Sequence, residues 1–154
     1  MTTKSGSPVR HIAIIGGGFS GTIAAVNLGR LSQSPLRVTL INRGYPAGRG
    51  IAYSTRRPEH LLNVVARNMS AFPDHPNHFV EWLRTRTDYM TIADGELRET
   101  FVPRRVYGDY LRATALPYLK PIDPSSRVLI EAIEDEALAV QSHAGGGRVV
   151  LAGG

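Results

Sequence analysis

The run IAIIGGGFSG, from Ile12 to Gly21, constrains the fold of this 154-residue chain more than any other feature. A short β-branched stretch, Val9 to Ile15, stops at Gly16-Gly17-Gly18, the pattern of a buried parallel strand running into a tight turn. From Ser20 the residues turn helix-forming. Ile23, Ala24, Val26, Leu28 and Leu31 are spaced to bury one side, until Ser32-Gln33-Ser34-Pro35 stops the helix. A second strand, Leu36 to Ile41, follows at once. Strand, glycine turn, helix and strand make a βαβ unit, for which a right-handed crossover is expected.

Around that unit the composition bounds the rest. With 42% apolar and 20% charged residues the chain suits one globular domain, and with no cysteine it can form no disulfide, thiolate zinc site or dithiol relay. A cytoplasmic location is the expectation. The most apolar run is far shorter than the roughly 18 residues of a membrane span, so no membrane partner is expected. Charge is uneven: the first 58 residues hold eight basic and no acidic side chains, and the remainder carries −3 to give +5 overall. Such a field suits an anionic small ligand. Nucleic acid is not expected, because the basic residues form no continuous run and aromatic residues are not interleaved with them.

Met1 to Ser7 is polar and aperiodic and reads as a flexible tail over residues 1–8, leaving 9–154 as the domain. Arg43 to Ser70 is rich in Gly and Pro but keeps apolar residues to pack with, the mark of an irregular stretch ordered over a ligand. Asp74-His75-Pro76 reads as a helix start with proline in the first turn, continuing to about Arg86. Thr91 to Thr100 reads as a polar turn, and Val106 to Leu119 as a helix. Then come strands at Arg127–Ile133, Ala137–His143 and Arg148–Ala152, the last two a hairpin about a turn at Ala144–Gly147. No third parallel core strand is in evidence, and the sequence reads as the first part of a larger doubly wound fold, incomplete at its C-terminus.

Gly16-Gly17-Gly18-Phe19-Ser20-Gly21 is G-x-G-x-x-G placed between a strand and a helix. Gly16 permits the sharp turn, Gly18 lets a pyrophosphate approach the backbone, and Gly21 lets the helix pack on the strand, while helix N-terminal amides face the anion. The acid usual at the end of the second strand is missing: Asn42 stands 24 positions after Gly18, with Arg43 next to it. An Asn amide can bond a ribose hydroxyl, whereas Asn-Arg can favour a 2′-phosphate; the first is preferred here. His75 and His78, beside Asp74, have a metal-compatible spacing but no third ligand, and no metal is expected. G-x-S-x-G fails at Thr22, which excludes a serine-hydrolase elbow.

Beyond the glycine motif, the blocks GIAYS, HLLNV, MSAFPD and FVPRRVYGDYL are the more specific ones. With GGGFSGTIAAVNL they resemble the N-terminal part of the FAD/NAD(P)-binding proteins that include the FAD-dependent urate hydroxylase type. More distantly they are similar to the flavin-dependent N-hydroxylating monooxygenases. The resemblance implies an α/β, Rossmann-like, three-layer domain with a β-meander. It implies FAD, with its pyrophosphate at Gly16, Gly18, Phe19, Ser20 and Gly21 and its adenosine ribose near Asn42 and Arg43. Gly50, Ala52, Tyr53, Asn63, Val64 and Met69 would approach the ribityl chain and flavin ring, and Arg104 or Arg105 would neutralise phosphate. The implied reaction is hydride transfer from NAD(P)H to flavin, then oxygen activation and hydroxylation of a small organic substrate. No acid–base residue is assigned, since the flavin carries the chemistry. Two alternatives stay open: an NAD(P)-binding domain of a reductase, and a catalytically incomplete nucleotide-binding fragment that associates with a missing C-terminal segment or another chain.

Overall fold

The computed structural model describes residues 9–44, 47–119 and 126–154, so the expected N-terminal tail lies outside the described residues. Strand β1 (Arg10–Ile15) leads through the glycine turn into helix α1 (Phe19–Leu31), and β2 (Leu36–Asn42) pairs with β1 in parallel, Arg10 opposite Leu36 and Ile15 opposite Ile41. The βαβ unit stands where the apolar periodicity puts it.

A third parallel strand corrects the expectation that none was in evidence. Strand β3 (Val128–Glu134) pairs with the far side of β2, Leu36 opposite Val128 and Asn42 opposite Glu134, giving the order β1-β2-β3. The run Arg127–Ile133 carries the β signal, but its partner lies some 90 residues earlier, and pairing across such a gap leaves no local trace. Strands β4 (Ala137–His143) and β5 (Gly146–Leu151) form the antiparallel hairpin. Its turn is tighter than expected, with His143 opposite Gly146 and only Ala144 and Gly145 between.

The segment between β2 and β3 holds helices α2 (Gly50–Tyr53), α3 (His78–Arg84), α4 (Asp94–Arg98) and α5 (Arg104–Leu119), with a 3-10 turn at Ala66–Asn68. Three boundaries differ from the sequence reading. Helix α3 starts after Pro76, because Phe72, His75, Pro76 and Asn77 are used in turns that deliver the His75 carbonyl to His78 N–H. Helix α4 sits inside the stretch read as a polar turn; its single apolar anchor, Leu97, is fully buried, too little to give a period. Helix α5 begins at Arg104, two residues early.

Two cores result. Alternation along the strands sends Leu36, Val38, Val128 and Ile130 to the α1 side, where they pack on Ala25 and Leu28. The opposite sheet face, with Ala13, Ile15, Ile41 and Ile133, looks across a hollow of about 530 Å³ at Val140, Val149 and Leu151 of the hairpin. Helix, sheet and hairpin are the three layers. The second core joins Ile23 of α1 to Leu62, Phe79, Leu83, Leu97, Val102, Tyr107 and Tyr110. Phe79 and Leu83 are fully buried and Trp82 stacks on Phe79, as an amphipathic α3 requires. The fold is α/β and Rossmann-like.

Candidate functional site

The glycine turn is fixed almost wholly by backbone. Gly16 adopts φ +101°, which an L side chain rarely adopts, and its N–H donates to the Ile41 carbonyl at 2.8 Å, extending the β1–β2 ladder into the turn. A Cβ on Gly21 would lie 1.8 Å from the Gly16 carbonyl oxygen, so only glycine lets α1 start there. The Gly17 N–H donates to the Asn42 side-chain oxygen at 2.9 Å, and the Gly17 carbonyl accepts from Gly48 N–H at 2.9 Å and from the buried Thr22 hydroxyl at 3.0 Å. Thr22, notable in the sequence only for breaking another motif, thus ties the helix to its own turn.

Gly18 is different. The nearest atom to a Cβ built on it is the Gly50 Cα at 3.9 Å, so the direction its side chain would take is open. It is the N-cap of α1, no side chain caps the helix, and the first turn holds no acid. First-turn amides of a helix have no partner within it, and the dipole makes that end attractive to an anion. Such an end, beside an open Gly18, fits a pyrophosphate and is unsuited to a cation.

The wall facing this end comes from the next loop. Gly50, at φ +54°, lies so close that a Cβ there would be 2.8 Å from the Gly18 Cα, and Gly48, at φ +98°, presses on the backbone of Leu111 and Arg112 in α5. Gly108 of α5 admits the Tyr53 carbonyl, which a Cβ would meet at 2.6 Å, and Arg49 pairs with Asp109. The segment from Gly48 to Tyr53 is clamped between the glycine turn and α5.

A cleft of about 700 Å³ opens there, at the carboxyl ends of the strands, and brings together Gly16, Gly18, Asn42, Arg43 and Gly50 from among the expected residues. Ile51, Asp135, Glu136 and Ala137 join them. The acids at the β3–β4 junction sit in a run, Glu134-Asp135-Glu136, that is not among the sites expected from sequence; the register of Asn42 opposite Glu134 brings them to the cleft. Arg43 pairs with Glu136 at 2.5 Å, and the Asp135 carboxylate is turned to the Gly153 and Glu136 amides. The early basic residues and later acids, segregated along the chain, thus meet in space, as Arg30 and Asp74 do at 2.7 Å.

The other expected residues are spread out. Phe19 stacks on Tyr107 with ring centres 6.3 Å apart, and Ser20 is exposed on the first turn of α1. Ala52 lines a second hollow of about 530 Å³, which shares Ile51 with the cleft and has Thr55, His60 and Arg104 on its walls. Arg104 holds the Leu61 carbonyl at 3.0 Å, whereas Arg105 is exposed on α5 and lines neither space. Tyr53 packs edge-on against Tyr107 at 4.9 Å, and burial, partly offset by Arg104, raises its pKa. Met69 packs against the aromatic core, and Asn63 and Val64 are exposed outside both spaces. His75 and His78 are engaged with Glu81 and Tyr110, and among the described residues no group of three metal-ligating side chains occurs. No described helix is long and apolar enough to cross a membrane.

Comparison with known proteins agrees with this geometry. The chain is similar to oxidoreductase ptaL of Pestalotiopsis fici, 34% identical over 90 residues that cover 52% of this chain and 24% of that protein. It therefore spans about a quarter of the length of the curated relative it matches. A family described as FAD-NAD(P)-binding matches residues 13–154, from within β1 through the hairpin. On that match, and with a glycine cradle that fits a dinucleotide pyrophosphate, the chain belongs to the FAD-NAD(P)-binding family.

Proposed function

We propose that the chain is the FAD-binding segment of a flavin-dependent oxidoreductase, an NAD(P)H-dependent monooxygenase of the urate hydroxylase type that hydroxylates a small organic substrate in the cytoplasm. The observation that carries it is the open Gly18 at an uncapped helix end, walled by Gly50 from a clamped loop. The name of the relative, an oxidoreductase, supports the redox class. FAD rather than a nicotinamide dinucleotide is favoured by the second hollow beyond Ile51, which gives a longer dinucleotide room past the pyrophosphate.

In this reading the residues bind and orient. Gly16 and Gly21 set the turn against α1, the amides of Phe19, Ser20 and Gly21 hold the pyrophosphate, and Asn42 keeps Gly17 in place. Arg43 lies at the adenosine end. Gly50 and Ala52 line the path toward the second hollow, where Arg104 is the cation near the phosphate side. Tyr53 backs that path from the core, and Met69, Asn63, Val64 and Arg105 have no direct part. Bound FAD would supply the redox chemistry, and the chain the dry, oriented site.

Titration of the purified chain with FAD, followed by flavin fluorescence and absorbance, tests this. Saturable binding that is lost in Gly18→Val is the expected result. Binding of NADPH without binding of FAD would replace the reading with a nicotinamide-binding domain of a reductase.

A further inference from the structure

We infer that Glu136, on the turn between β3 and β4, supplies the carboxylate that selects an unphosphorylated adenosine ribose, and that its ion pair with Arg43 withholds that guanidinium from a 2′-phosphate. This rests on the dinucleotide reading above. In glycine-turn βαβ folds an acid at the end of the second strand bonds the ribose 2′-hydroxyl, and an arginine nearby accommodates a 2′-phosphate. Here the end of the second strand carries Asn42 and Arg43. On sequence alone that pair admits either a ribose hydroxyl on the Asn42 amide, the preferred reading, or a 2′-phosphate on Arg43.

The fold keeps the unphosphorylated ribose but moves its partner away from Asn42. Asn42 commits its side-chain oxygen to Gly17 N–H at 2.9 Å, so it acts on the turn. Parallel pairing sets Asn42 opposite Glu134 and carries the chain, two residues later, to the rim of the same cleft. Of the two acids there, Asp135 faces inward to the Gly153 and Glu136 amides, whereas Glu136 reaches Arg43 at 2.5 Å across the cleft mouth. Both side chains stay accessible, Arg43 at 71% and Glu136 at 41% exposure, so the carboxylate can take a hydroxyl while still holding the guanidinium. An ionised carboxylate accepts a hydroxyl hydrogen bond and repels a phosphate dianion. The cleft therefore takes an adenosine dinucleotide with a free 2′-hydroxyl, the class to which FAD and NAD belong.

The test uses two probes that differ only in the 2′-phosphate. 5′-AMP and adenosine 2′,5′-bisphosphate compete for bound FAD on the wild-type chain, on Glu136→Gln and on Glu136→Gln/Arg43→Ala. Wild type is expected to bind AMP roughly tenfold or more tightly than the bisphosphate. Glu136→Gln should weaken FAD severalfold and turn the ratio toward the bisphosphate, and the added Arg43→Ala should remove that gain. A merely structural ion pair would weaken both probes alike and leave the ratio unmoved. An unchanged ratio in Glu136→Gln, or a wild-type preference for the bisphosphate, overturns the inference while FAD binding keeps the dinucleotide reading. Absence of FAD and AMP binding to wild type overturns both.

Discussion

The glycine cradle holds its shape through backbone bonds and missing side chains, whereas the core around Phe79 and Tyr110 holds its shape through the largest fully buried side chains among the described residues. Phe79, Tyr107 and Tyr110 are each 1% exposed or less and touch one another with ring centres 4.8 to 5.4 Å apart. In the cradle a single added methyl would lie 1.8 Å from backbone at Gly21 but make only an ordinary contact, 3.9 Å from the Gly50 Cα, at Gly18. A site that must admit a ligand keeps space where its fold does not need contact. The three rings leave no such opening between them, since each is buried against the other two.

Four substitutions or titrations would break or sharpen that contrast. Gly21→Val should have the largest effect, a loss of more than about 4 kcal/mol, because the clash is with fixed backbone; the check is whether a cooperative thermal transition survives. Phe79→Ala should follow, with about 3–5 kcal/mol lost to a cavity in the aromatic core, read by denaturant unfolding. Gly18→Ala should change stability by about 1 kcal/mol or less, the order of an N-cap exchange, while abolishing the FAD fluorescence change. An equal loss of stability and binding there would remove the distinction between cradle and core.

The smallest effect is a pH dependence. Burial, helped by the neighbouring His75, lowers the pKa of His78 below its usual 6.5, so the folded chain binds this proton less readily than the unfolded one. Stability from this group is then fully present above pH 6.5 and falls as the pH drops through the window below it. The His78 Nδ1 contact with the Tyr110 hydroxyl, at 2.7 Å, places that loss in the aromatic core. Thermal unfolding between pH 5 and 8 should show it, and His78→Gln should flatten the slope.

Much of this contrast was legible in the sequence, and the illegible part has physical causes. β1, α1, β2 and the hairpin announce themselves by period and glycine, both local signals. Helix α4 does not, because five residues with one buried leucine give no repeat. The places of Gly16 and Gly21 in the turn could be read because they depend on the turn alone. Glu136 could not, because its place depends on β3 lying beside β2, and Tyr53 and Met69 share the flanking loop with Ala52 but face the core. A loop sequence shows which residues are near a site and not which way each one turns.

The clamped segment from Gly48 to Tyr53 also makes the two regions thermodynamic partners. It touches Gly17 and Gly18 on one side and Gly108, Arg112 and Tyr107 on the other. A ligand that binds the folded cradle therefore favours the packed α5, and the folded chain gains RT ln(1 + [L]/Kd) in stability, about 2.7 kcal/mol at a hundredfold excess over Kd. By the same reciprocity, a lesion at Phe79 that loosens α5 would be felt as weaker ligand binding by a side chain that never meets the ligand.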